Sequence, residues 1–139
     1  LGEARFIFVM PDADREYTDI NDSSLGIRIS NGKHSFLLCG DSSKAMEEEF
    51  LDSRIYLHSD VFKVSHHGSS DANSTAFLKA VDPEYAVISC GKNNDYGHPH
   101  KRTLKRLKKT GAKLFRTDQQ GTIIFESDGN ILTCNTNAL

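Results

Sequence analysis

The sequence predicts an α/β protein, on three observations. The dipeptide Asn31-Gly32 joins two strand-patterned runs, strand and helix patterns then alternate three times, and a second turn dipeptide, Asp128-Gly129, stands near the end. Asn-Gly and Asp-Gly adopt φ > 0 readily and mark tight hairpins. Alternation of strands with helices argues for a layer in which neighbouring strands are linked through helices. The 139 residues suit a single domain, 1–139, able to bury a core without disulfides or a structural metal.

Each element has its own signal. ARFIFVM (4–10) reads as a strand and PDADREYTDINDSS (11–24) as a polar loop. LGIRIS (25–30) and KHSFLLCG (33–40) flank the first turn. SSKAMEEEFL (42–51) offers Ser42 and Ser43 as N-caps and places Met46 and Phe50 four apart, which is helical spacing. DVFKVS (60–65) is a strand, STAFLKAV (74–81) a short helix with Phe77, Leu78 and Val81 on one face, and EYAVISCG (84–91) a strand. PHKRTLKRLKKTG (99–111) has Pro99 at a first-turn position, Leu104 and Leu107 three apart, and Gly111 as C-cap. AKLFRT (112–117), GTIIFES (121–127) and NILTCNT (130–136) complete the strands.

Bulk properties exclude little. A content of 37% hydrophobic and 26% charged residues, with net charge −2, is that of an ordinary soluble domain and does not announce a nucleic-acid binder. Cys39, Cys90 and Cys134 are odd in number, widely spaced and set in or beside apolar runs, which suits reduced thiols. No CxxC occurs, against a cysteine-based zinc knot. No apolar run approaches the ~20 residues of a membrane helix, and no signal segment opens the chain. The start at Leu1, close to a strand, suggests a soluble piece of something longer.

In α/β layers, functional groups collect beyond the carboxyl ends of strands. Three such ends are suggestive: Gly40-Asp41, His66-His67-Gly68-Ser69, and GKNNDYGHPH (91–100). One rim would then hold Asp41 and four of the six histidines, His66, His67, His98 and His100, with His34 and His58 as bystanders. Imidazoles with a carboxylate are the donor set favoured by Zn²⁺, Mn²⁺ or Fe. Asp41 also fits a simple helix cap, and His98 and His100 fit helix-start residues. Tyr96 and the amides and glycines around it suit an oxygen-rich anion beside a helix N-terminus. Ser69 and Ser70 lack a GxSxG elbow and read as supporting groups. Lys101, Arg102, Lys105 and Arg106, with Lys108 and Lys109, make a basic helix that is either a solvated face or the place where nucleic-acid phosphates are followed.

Taken in order, GD, HHGS and YGHPH within residues 21 to 126 closely resemble the carboxyl-terminal half of the metallo-β-lactamase-fold hydrolase domain of the ComEC/Rec2 competence proteins. The resemblance implies half of an αββα sandwich, a mixed sheet with helices on one face and terminal hairpins. It also implies a two-metal hydrolytic site, with Zn or Mn, acting on phosphodiesters such as DNA during uptake. By position, Asp41 would be a bridging carboxylate, His66, His67 and His98 metal ligands or near-ligands with His66 ahead of His67, and His98 or Tyr96 a transition-state donor. The superfamily's HxHxDH cluster belongs to an upstream half, and no such motif occurs here. These residues alone are therefore expected to bind metal weakly or not at all. The expected partners are that upstream half, a nucleic-acid or phosphoester substrate, a membrane-embedded competence channel domain in a bacterial parent, and a second copy paired through the first strand. A non-catalytic docking module of the same fold is the competing reading.

Overall fold

A computed structural model describes residues 2–11, 14–53 and 55–139. Residues 12 and 13, inside the polar loop expected at 11–24, lie outside these. The elements run β1 (Arg5–Met10), β2 (Gly26–Asn31), β3 (His34–Leu38), α1 (Lys44–Asp52), β4 (Val61–Lys63), α2 (Thr75–Val81), β5 (Tyr85–Ile88), α3 (Lys101–Thr110), β6 (Lys113–Arg116), a single turn α4 (Thr117–Gln120), β7 (Phe125–Ser127) and β8 (Leu132–Cys134). Strands β1 to β6 form one mixed sheet in chain order, antiparallel from β1 to β3 and parallel from β3 to β6, while β7 and β8 form a separate antiparallel pair. The chain is thus α/β, a mixed sheet with terminal hairpins.

The helices start where their caps require. Ser43 Oγ accepts from Ala45 N at 3.2 Å, and Ser74 Oγ accepts from Phe77 N at 3.2 Å, each satisfying an N–H that the helix leaves unpaired. Helix α3 begins two residues beyond Pro99, with His100 as an extended N-cap, and ends at Gly111 with φ 82°. Strand β7 is shorter than GTIIFES suggested. Before it, Arg116 pairs with Asp118 at 2.6 Å and its N–H donates to Gln120 at 2.6 Å, which closes residues 117–120 into a helical turn and ends the strand expected over 112–117 at Arg116.

One sheet face is the core. Leu37 neighbours Phe62, and Phe62 neighbours Ala86. Met46 and Phe50 of α1, Phe77, Leu78 and Val81 of α2, and Leu107 of α3 pack with them, all essentially inaccessible. Phe77 sits 5.7 Å from Phe50 and 5.9 Å from Phe62 between ring centroids. Each such side chain contributes about 1.5–3 kcal/mol by leaving water.

The opposite face presents two cross-strand rows, Phe8-Ile27-Leu38-Lys63-Val87-Phe115 and Phe6-Ile29-Phe36-Val61-Tyr85-Lys113. The terminal hairpin covers part of it. Phe125 lies 5.3 Å from Tyr85 and 5.2 Å from Phe115. The hairpin's turn is tied to the first one, where Lys33 N donates to Gly129 O at 2.8 Å and Asn31 Nδ2 to Ser127 O at 3.0 Å. Phe6 and Phe8 remain 45% and 66% exposed. All three cysteines are free, and burial, then Glu47, pushes the Cys39 thiol up to about 12. Among the described residues no helix is long and apolar enough to cross a membrane.

Candidate active site

The three expected strand ends do converge. Asp41 follows β3, His66 and His67 follow β4, and Tyr96 and His98 follow β5. Asp41 Oδ2 stands 3.3 Å from His67 Nε2. The His66, His67 and His98 rings lie 5.7 to 6.4 Å apart between centroids. Tyr96 stacks on His98 at 5.7 Å and 19°, and is 79% exposed. His34 bonds Ser127 and His58 stacks on Tyr56, both away from this rim.

His66 and His67 achieve this by leaving the strand conformation. A continued strand would point successive rings to opposite faces. Both residues instead adopt left-handed backbone, with φ/ψ of 47°/49° and 52°/18°. For a residue with a Cβ this costs roughly 1–2 kcal/mol, so the surroundings must over-determine the turn. They do so from four sides. His66 N donates to Gly40 O at 3.0 Å and Ser69 N closes back onto His66 O at 2.7 Å. The Asn73 side chain brackets Ser65, accepting from its N–H and donating to its C=O, both at 3.0 Å. Fully buried Glu47 accepts from the N–H groups of Asn73 and Ser74. Arg106 donates to the carbonyls of Ala72 and Asn73 at 3.0 and 3.2 Å, and Thr103 Oγ1 to Ser69 O at 2.8 Å.

Arg106 is therefore spent on this loop, unlike Lys101, Arg102 and Lys105, which stay exposed. Asn73, Glu47 and Thr103 were not singled out by the sequence. Asn73 lies in a loop of polar residues, and Glu47 in a run of three glutamates whose register alone says which is inside.

Hydrogen bonding assigns the imidazoles. His67 Nδ1 lies 2.6 Å from Ser89 O. A carbonyl only accepts, so Nδ1 carries the proton and the Nε2 lone pair faces Asp41 in neutral imidazole. Two acceptors facing each other call for a proton or a cation between them. Such a backbone-held tautomer is how metal-binding histidines are oriented. His100 is different: Nδ1 accepts from Ser70 N at 2.9 Å, leaving Nε2 to donate to Tyr96 O at 3.2 Å, so both nitrogens serve the fold. Burial, then the His100, His66 and His67 rings, hold His98 below the ordinary imidazole value, opposed by Asp41. Lys63, half-buried on the open face, is lowered by burial and supported by Asp41.

The fit to metal is partial. Asp41 and His67 form a suitable donor pair with His66 and His98 beside it, but no three His, Cys, Asp or Glu side chains among the described residues form a group able to hold an ion. The sequence ranked His66 ahead of His67, whereas the contact with Asp41 is made by His67.

Comparison with known families and proteins places the chain. Residues 5–92 match the metallo-beta-lactamase superfamily, and the chain belongs to it. It is related to bacterial competence proteins. It is 38% identical over 133 residues to ComE operon protein 3 of Bacillus subtilis, covering 96% of this chain and 17% of that protein. It is 38% identical over 123 residues to competence protein ComA of Neisseria gonorrhoeae, covering 86% and 17%. Recombination protein 2 of Haemophilus influenzae is 34% identical over 103 residues, covering 74% and 13%. The chain thus spans about a sixth of the length of these relatives.

Proposed function

We propose that this chain is the carboxyl-terminal portion of a metal-dependent phosphodiesterase that acts on nucleic acid, DNA in competence-type uptake, with the rest of its donor set supplied by an upstream half of the same domain. The observation that carries this reading is the Asp41 Oδ2 to His67 Nε2 approach of 3.3 Å, with Nδ1 already committed to Ser89 O at 2.6 Å. Asp41, His67, His98 and His66 would hold the ions, two in the complete domain, of Zn or Mn. Bound there, divalent ions supply Lewis acidity and an activated water near neutral pH.

The chain's own residues then divide the work. Ser89 fixes the His67 tautomer, Asp41 would contribute the negative charge that offsets the ions, and His98 would serve either as a further ligand or as a donor to the reacting phosphoryl group. The exposed cations Lys101, Arg102 and Lys105 draw the phosphate backbone, a salt-dependent attraction. The uncovered apolar rows around Phe6 and Phe8 suit the second sheet of the sandwich, contributed by the upstream half, and the edge strand β1 suits pairing with a further strand, including that of a second copy. A membrane-embedded channel domain of the parent is the remaining partner.

A non-catalytic docking module is favoured by one observation, the incomplete donor group among the described residues. Metal content and hydrolysis of bis(p-nitrophenyl) phosphate, measured with Mn²⁺ or Zn²⁺ on this chain and on one extended upstream, separate the two. The extended protein should take up metal and turn over. If it does neither, the hydrolase reading is wrong and the docking module stands.

A further inference from the structure

We propose that Tyr96 is a stacking platform for one unpaired nucleobase of a strand whose phosphate is brought to the metal-dependent site of Asp41, His67 and His98, a reading that rests on the phosphodiester assignment above. Three observations carry it. The Tyr96 ring lies nearly parallel to the His98 ring, at 19° and 5.7 Å, so one π face is supported while the residue is 79% exposed. A tyrosine stacked on one face and exposed on the other offers a flat apolar surface to a second ring. Tyr96 also lines a cavity of about 300 Å³ together with His67, Ser89, Cys90, Gly91, Asn94 and His98. That volume is at the low end of the ~300–1,000 Å³ typical of small-molecule sites, and it shares His67 and His98 with the donor cluster, so its occupant neighbours the scissile phosphate.

The cations are placed to match. Lys92 on the same loop and Lys101 and Arg102 at the start of α3 are exposed, which suits the phosphates flanking a stacked base. The combination of a basic surface with an exposed aromatic is the common device for holding unpaired strands, because every base has a π face. A base within a duplex has both faces covered by its neighbours and has to be extruded before it can use such a platform. Tyr96 also keeps its place without its hydroxyl. Its backbone carbonyl accepts from His100 Nε2 at 3.2 Å, and His100 is itself fixed by Ser70.

The chain contains no tryptophan, so Tyr96→Trp places a single indole emitter on the platform. Short oligothymidylate should quench it saturably, and an abasic deoxyribose-phosphate oligomer of equal length and charge should not. Tyr96→Ala should lower affinity for oligothymidylate by about fivefold or more while leaving affinity for the abasic strand unchanged, and Tyr96→Phe should retain wild-type binding. If wild-type protein binds both strands equally in a salt-sensitive manner, the platform is refuted and the phosphate reading survives. If neither strand binds, the platform is refuted, while the phosphodiesterase reading is decided separately by metal uptake and turnover of the upstream-extended protein.

Discussion

Gly68→Ala tests how tightly the two histidine loops are seated on each other. Gly68 has φ +85°, and a Cβ there would stand 2.6 Å from Pro99 Cβ and 3.2 Å from Pro99 Cα. Its carbonyl also accepts from His100 N at 3.0 Å. Two costs therefore add: roughly 1–2 kcal/mol for a side chain in left-handed backbone, and about 1–3 kcal/mol for overpacking against Pro99. The sum is about 2–5 kcal/mol. Gly97→Ala is the matched control, because Gly97 has φ +69° with nothing within 4 Å of the added Cβ, and it bears only the first cost. Urea unfolding should place Gly68→Ala about 1–3 kcal/mol below Gly97→Ala. For a domain of this size that is a difference of several degrees in Tm. Equal stabilities within about 0.5 kcal/mol would mean that the Gly68 and Pro99 loops are not in contact as described.

Asn73→Ala removes both bonds that bracket Ser65 and should cost about 2–6 kcal/mol by leaving two buried backbone groups unpaired, read by the same unfolding assay. Arg106→Ala should destabilise by about 1–3 kcal/mol because it strips hydrogen bonds from the 70–73 carbonyls, while Lys105→Ala should stay within ~0.5 kcal/mol and alter only salt-dependent binding. Burial raises the Glu47 carboxyl above its ordinary value, against the opposing Ser74 and Asn73 hydrogen bonds and Arg106. The folded state thus holds this proton more tightly than the unfolded one. That contribution is fully present below the ordinary carboxyl value and is lost as pH rises through the raised one. Glu47→Gln should show a flatter stability profile across that window, and an unchanged slope would place Glu47 in water. In the upstream-extended protein, Asp41→Asn should suppress hydrolysis by orders of magnitude, since metal binding needs the deprotonated ligand. A loss no larger than that from Lys105→Ala would remove Asp41 from the bridge.

The sheet and its helices were legible because their signals are local. Asn31-Gly32, Asp128-Gly129 and the Met46/Phe50 spacing each act within a few residues, and strand order followed chain order. The rim was legible because three strand ends in an α/β layer open on the same side. What stayed hidden depends on long-range partners. That Ser89 O would fix His67, that Asn73 would reach back to Ser65, or that Arg106 would turn inward from a helix of six cations cannot be read from spacing. The helical turn at 117–120 was missed for a related reason, since it depends on Gln120 accepting from the N–H of Arg116.

The nested turns at Gly32 and Gly129 bind residues nearly a hundred positions apart. Amide exchange of Lys33 should accordingly report on the last strands as well as on its own hairpin, and proteolytic trimming after β6 should loosen the β2–β3 corner first. The final hairpin is fastened to the β2–β3 turn, so opening of the tail is coupled to that corner rather than independent of it.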